Sequence, residues 1–359
     1  MPQNKVPKSL KFLDAYEKND RGIFFQRDDT IAELYRTVNK SNLTVVFGFS
    51  GTGKTSLIQC GLANQFSDTD WMEVLIRKKR NQPINESTFE SIQSRAKTLF
   101  RPIHQSGSTK DYLIECLEQL YRDYFRTIYL IYDQFEELFI YGTEEEQRDF
   151  ISFLKACVES NLNVKVILVV REEYLGSLYE FEGRKNTQGI NGLEENIDKN
   201  ADESTLPGIM DNYFRVGRLS KIVVKNLISD ILTKNGIKEF ENLPHLTKLN
   251  EHYSSLDLIY DNIKDKETKM VDLPNLQVYL DKLLRSLPEG TTKLLFADLA
   301  ALGKVDDILA EFLDEKVESI RAGLDCKIED IWGVLNMLVS VNETKQGLKK
   351  EEIRTQLSN

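Results

Sequence analysis

The stretch GFSGTGKT, residues 48–55, fits the pattern G-x-x-x-x-G-K-[ST] through Gly48, Gly53, Lys54 and Thr55, with a further glycine at Gly51. Glycines lack a Cβ, so the chain there can turn its N–H groups inward around phosphate oxygens. A helix starting near Thr55 adds the positive end of its dipole. Lysine at this position reaches the β- and γ-phosphates, and the threonine hydroxyl ligates Mg²⁺. The binding set read from this loop is Gly48, Ser50, Gly51, Thr52, Gly53, Lys54, Thr55 and Ser56. The motif gains weight from its setting, because a strand-like run, LTVVFG (43–48), precedes it and a helical pattern follows.

A second chemical stretch is LIYDQFEELF, residues 130–139. Asp133 ends an apolar run, and in an open parallel sheet that end faces the ligand crevice. A carboxylate there binds Mg²⁺ directly or through water, which makes Thr55 and Asp133 the metal set. General-base work needs a carboxylate within reach of the attacking water. Gln134 cannot take a proton, although a glutamine can orient water. If the chain turns helical here, Glu136 and Glu137 fall on the face of Asp133, and either is a candidate base. Either can instead pair with Arg126, Arg148 or Arg171. Arg171 directly follows VKVILVV (164–170), where the sheet edge would aim it at a γ-phosphate and let it tell a triphosphate from a diphosphate. Its alternative partners are Glu172, Glu173 or a sheet-edge carbonyl. The catalytic set is therefore Lys54, Asp133, Glu136, Glu137 and Arg171, with slow turnover expected.

These residues need a scaffold, and the hydrophobic pattern supplies one. Unbroken apolar runs at 43–48, 71–77, 127–133 and 164–170 predict buried strands. Helical periods at 28–38, 55–66, 111–125 and 144–160 alternate with them, which implies a parallel sheet covered on both faces. Residues 80–108 are polar and carry no assignment. YFRVGRL (213–219) predicts a fifth strand. From there the chain is expected to be helical to the end, at 221–235, 275–287, 293–302, 304–322 and 327–341. Asp28 or Asp29 is the expected N-cap of the first helix.

Composition narrows the classes. The 359 residues carry a net charge of −10, which argues against a chain-wide nucleic-acid surface. Cys60, Cys116, Cys157 and Cys326 show no CxxC spacing and read as small buried hydrophobes in a reduced compartment. His104, His245 and His252 are scattered, so no histidine metal site is readable. No stretch approaches the length of a membrane span and the N-terminus lacks a signal-peptide core, so a cytoplasmic protein is expected.

The phosphate loop, the DQFEELF run and VVREEYL, in this order, resemble the STAND class of P-loop NTPases, signal-transduction ATPases with numerous domains. The closer resemblance is to its novel STAND branch. FLDAYEKNDRGIFFQRDDTIAELY (12–35) is similar to the branch's opening box through Phe24, Phe25, Arg27 and Asp28, with Gln26 where the family usually has glycine. The resemblance implies that Arg27 lies near the nucleotide, that Gln134 is the family's norm, and that Arg171 reads the γ-phosphate. VDLPNLQVYLDKLL (271–284) resembles a helical-domain motif, which implies Pro274 as a nucleotide contact, although Asp272 replaces the family's glycine. IEDIWGVLNMLVSVNETKQGLKKEEIRTQLSN (328–359) resembles the opening of a winged helix.

The expected fold is α/β: a P-loop NTPase three-layer α/β/α parallel sheet followed by an α-helical module and the start of a winged helix. The expected plan is an arm and helix (1–42), the α/β core (43–219) with a flexible acidic insertion (180–212), a helical module (220–325) and a winged-helix-like segment (326–359). ATP or ADP and Mg²⁺ are the implied cofactors. The implied function is a slowly hydrolysing molecular switch that self-associates in the ATP state and acts on an effector or sensor, with no membrane partner. A DNA-associated ATPase of the origin-recognition or loader type is the alternative. It needs a basic recognition element, and KKEEIR (349–354) is diluted by glutamates. A small-molecule kinase would need an arginine-rich lid, and the acidic 180–212 segment holds Arg184 as its one arginine.

Overall fold

The computed structural model describes residues 10–11, 14–105, 107–182, 205–243, 253–324 and 326–338. The expected acidic insertion falls largely outside them, as does the expected winged-helix segment from residue 339 onward. The described residues form two compact units, one from Lys8–Asn235 with Asp265–Pro274, the other from Gly236–Lys264 with Asn275–Asn359.

In the first unit β1 (Leu43–Gly48), β2 (Met72–Ile76), β3 (Ile128–Tyr132), β4 (Val164–Arg171) and β5 (Tyr213–Arg215) make one parallel sheet in the order β2-β3-β4-β1-β5. Both faces are apolar because side chains alternate along each strand. Val45, Leu130, Tyr132, Val166 and Leu168 face one side. There they meet α3 (Ile84–Arg95), α4 (Thr109–Tyr124) and α6 (Glu144–Glu159), through Ile92, Leu117 and Leu154 among others. Val46, Tyr129, Ile131, Ile167 and Val169 face the other side. They meet α1 (Asp28–Lys40) and the helical stretch after the phosphate loop through Ile31, Leu34, Leu57 and Leu62. Each such fully buried aliphatic side chain contributes roughly 1.5–3 kcal/mol.

Three expectations about this unit need correction. The helix after the loop is α-helical only over α2 (Lys54–Ser56), then widens to a π-helix (Leu57–Leu62) and tightens to a 3₁₀ turn (Ala63–Gln65). Leu57, Ile58, Cys60, Gly61, Leu62 and Ala63 are all buried, so the sequence had no polar face from which to read the winding. The unassigned 80–108 region contains α3, whose buried positions include Asn85, Ser87 and Thr88, so an apolar period is missing. Arg27, rather than Asp28 or Asp29, occupies the N-cap position of α1; both aspartates lie in the first turn, where the helix dipole favours them.

The second unit also departs from a purely helical reading. It contains α9 (Ser255–Ile263), most of α10 (Leu273–Ser286), α11 (Phe296–Leu302), α12 (Val305–Leu324) and α13 (Ile328–Met337). Short strands intervene: β6 (Glu239–Phe240) pairs in parallel with β9 (Lys293–Leu294), and β7 (Asn242–Leu243) pairs antiparallel with β8 (Tyr253–Ser254). The expected 293–302 helix therefore starts late, where Asp298 Oδ2 accepts the Leu295 N–H at 2.9 Å. Two-residue strands leave no period to detect. Ile259, Tyr279, Leu280 and Leu283 are buried in this unit, and Tyr279 Oη receives Asn262 Nδ2 at 3.0 Å.

One close approach ties α1 to the helix that follows the phosphate loop. A Cβ on Gly61 would sit 2.7 Å from Ile31 Cγ1 and 3.4 Å from Phe24 Cε1. Gly61→Ala should therefore destabilise the chain by about 1–2 kcal/mol in urea denaturation, overpacking outweighing the gain in helix propensity. An increase in stability would mean that Ile31 is free to move aside.

Candidate functional site

The phosphate loop links β1 to α2 with Gly51 at φ +74° and Gly53 at φ +83°, left-handed conformations that favour glycine. Space is as tight as torsion: a Cβ on Gly51 would lie 3.3 Å from Pro274 Cδ, and one on Gly53 3.2 Å from Leu273 Cδ1. At Gly48 a Cβ would meet the Val216 carbonyl oxygen at 2.4 Å. The N–H groups of Gly51, Thr52 and Gly53 donate to no acceptor among the described residues, the condition for a cradle that receives an anion. Lys54 Nζ donates to the carbonyls of Gly48 (2.8 Å) and Phe49 (2.9 Å), spanning the loop from within. Burial pulls the Lys54 ammonium pKa down from its usual value, and the Glu136 carboxylate opposes this more than any other group. Ser50 is exposed, whereas Ser56 Oγ accepts the Tyr16 N–H at 3.1 Å.

Asp133 lies just beyond β3, its own N–H bonded to Ile76 O at 2.9 Å and its side chain 3% exposed. Thr55 Oγ1 donates to its Oδ1 at 2.9 Å. The structure thus brings together the two groups expected to hold a metal, from β1 and β3, which β4 separates. Among the described residues no group of three or more His, Cys, Asp and Glu could hold a metal by itself. One hydroxyl and one carboxylate suit Mg²⁺, which is held by one or two protein oxygens together with phosphates and water. Sequence reasoning missed the residue that takes the other carboxylate oxygen. Arg77 donates to Asp133 Oδ2 from Nε at 3.0 Å and from Nη2 at 2.7 Å. It follows β2 as Arg171 follows the 164–170 run, so the rule that found one could have found the other.

The two glutamates separate clearly. Gln134 is exposed and takes φ +58°, a left-handed pivot after which Phe135 N–H bonds to Val169 O at 2.8 Å and its ring is buried. That turn starts α5 (Glu136–Tyr141) and puts Glu136 inside, 4% exposed, while Glu137 is half-buried. Arg171 Nε lies 3.0 Å from Glu136 Oε1, and the Arg171 N–H donates to Glu136 Oε2 at 3.2 Å. Arg171 stands opposite Gly48 in the β1–β4 register, one strand from the phosphate loop. Glu172 pairs instead with Arg215.

The N-terminal box supports the loop from behind. Arg27 is buried, donates to Thr52 O at 2.7 Å and to Gly217 O at 3.4 Å, and faces no carboxylate among the described residues. Burial pulls its pKa down to about 10. Gln26 adopts φ +60°, the conformation that a glycine takes without strain, and its Nε2 donates to Asp230 Oδ2 at 2.7 Å. Pro274 is grouped with the sheet-bearing unit, and the Leu273 N–H donates to Gly51 O at 3.3 Å. Cys60, Cys116 and Cys157 are buried, with burial pushing the Cys60 thiol up to about 11; Cys326 is half-buried. Among the described residues no helix is long and apolar enough to cross a membrane.

Among solved structures the chain is similar to a Walker-type ATPase of Pyrococcus abyssi, at 13% identity, covering 96% of this chain and 91% of that one with a TM-score of 0.53. It is also similar to the ORC2 protein of Aeropyrum pernix, solved as ADPNP-ADP complexes, at 11% identity, covering 85% of this chain and 70% of that one with a TM-score of 0.53. At such identities the likeness is one of fold, that of an α/β P-loop ATPase. No curated protein matches the chain by sequence. The family model Novel STAND NTPase 1 matches residues 11–194, more than half of the chain. With its phosphate loop, its acidic strand end and this match, the chain belongs to the novel STAND NTPase family.

Proposed function

We propose that this NTPase is an ATP-dependent molecular switch that hydrolyses ATP slowly and couples its nucleotide state to self-association or to control of an effector. The ion pair between Glu136 and Arg171, beside the phosphate loop, carries this reading. A γ-phosphate is a stronger and less desolvated partner for a half-exposed arginine than a buried carboxylate is. Triphosphate therefore draws Arg171 from Glu136 and diphosphate leaves the pair closed, so the two ligands select different states of the protein.

When bound, Mg·ATP supplies the phosphoryl bond to be broken and a divalent charge beside it. The residues divide the remaining work. Gly51, Thr52 and Gly53 offer backbone N–H groups to the phosphates, Gly48 lets the loop pass Val216, and Lys54 adds its ammonium charge. Thr55 and Asp133 hold the metal. Glu136, once released by Arg171, accepts the proton of the attacking water, and Gln134 takes no proton. Arg27 and Pro274 act on the loop backbone, Arg27 through the Thr52 carbonyl and Pro274 by packing on Gly51, so both register what the loop holds. A cytoplasmic setting is part of this proposal, and the net charge of −10 argues against a chain-wide nucleic-acid surface.

Glu136→Gln should lower ATP hydrolysis about hundredfold or more while leaving ATP binding intact, and Glu137→Gln should stay within roughly threefold of the native rate. Equal losses in the two variants would remove Glu136 from the role of base. Lys54→Ala protein should retain at least about tenfold less nucleotide, measured by chromatography of what denaturation releases, since one charge-assisted contact is worth roughly 1.5–3 kcal/mol. On size exclusion, a non-hydrolysable ATP analogue should shift the native chain to a larger species and ADP should not; a monomer with both would count against self-association.

A further inference from the structure

Asp133 has both carboxylate oxygens engaged, one by the Thr55 hydroxyl and one by Arg77. We propose that Arg77 is a positioning residue that holds the Asp133 carboxylate in the metal-free chain and competes with the divalent metal for its Oδ2 oxygen, so that metal binding and the Arg77–Asp133 pair exclude one another. The inference rests on the nucleotide-site reading above and adds a residue that the reading does not use.

Three observations carry it. Asp133 is 3% exposed and is therefore a desolvated charge that requires a partner. Arg77 meets that need with two N–H groups on a single oxygen, rather than one on each as in a fork that locks both. The same oxygen is what remains to a metal, or to its water, once Thr55 has taken Oδ1. Arg77 itself is 52% exposed, so releasing it into water costs little, whereas Asp133 is almost fully buried. The exchange is thus between two cations on one buried oxygen, and the mobile one leaves.

The competition has a sign. An arginine that merely shaped the site would strengthen metal binding, and its loss would weaken it. An arginine that competes does the reverse. Adjacent unit charges move the equilibria of a carboxylate by about tenfold or more. The test is the Mg²⁺ concentration that half-maximally tightens binding of fluorescent ADP to the full chain, with parallel titrations in EDTA. Arg77→Gln should lower that concentration about tenfold, and Arg77→Lys should restore most of the native midpoint. An unchanged or higher midpoint in Arg77→Gln overturns the proposal. Should that variant fail to fold, a crystal structure of the native chain with Mg·ADP decides: Arg77 more than 4 Å from Asp133 Oδ2 supports the proposal, and an intact pair overturns it. Native protein that binds no ADP at any Mg²⁺ concentration overturns the nucleotide-site reading itself. Native binding that Mg²⁺ tightens, with the same midpoint in Arg77→Gln, overturns the role of Arg77 alone.

Discussion

A carboxylate cut off from water must be met by donors, and the way Asp133 meets this requirement organises the whole site. Its backbone is fixed by β2 through Ile76, and its side chain is fixed by Thr55 from the phosphate loop and by Arg77 from the end of β2. Two stretches far apart in the chain, the phosphate loop and the end of β2, converge on one group. Breaking any of them leaves a buried charge with fewer donors, which costs more than the contact itself is worth. The loop, the metal position and the sheet edge are consequently not independent parts.

The same economy governs Glu136. It is buried because Gln134 turns the chain left-handed and Phe135 anchors the turn in the core, and a buried carboxylate again requires a cation. Arg171 is the one the β1–β4 register presents. Two buried acids are thus each matched to a partly exposed arginine at the end of a neighbouring strand. The arrangement stores two charge pairs that a polyanion with its metal can rearrange, since each arginine is nearer to water than its partner.

Behind the loop, Arg27 brings a charge into a place with carbonyls and no carboxylate among the described residues. The dipoles of the Thr52 and Gly217 carbonyls meet it, while burial lowers its proton affinity. Its helix packs against Gly61, and its neighbour Gln26 accepts a left-handed backbone in return for a hydrogen bond to Asp230. The N-terminal box is therefore a brace for the loop's backbone, joined to it by contacts that a change in the loop would disturb.

What the sequence alone determined is local. The glycine spacing dictates a cradle, because residues without Cβ take the left-handed backbone of Gly51 and Gly53 without strain. Unbroken apolar runs dictate buried parallel strands, because both of their faces are covered. Family membership was equally legible, since DQFEELF and the opening box are contiguous strings. Decisions that depend on neighbours distant in the chain were left to tertiary structure. Strand order put β4 beside β3, and so chose Arg171 for Glu136 from several arginines that spacing could not rank. Arg77 went unnoticed because its partner lies in another strand. Which of Glu136 and Glu137 is buried fell to one left-handed residue, a torsion that composition does not encode for glutamine. The short strands of the second unit and the polar interior of α3 escaped because their stability comes from pairing and burial partners rather than from a period in their own residues.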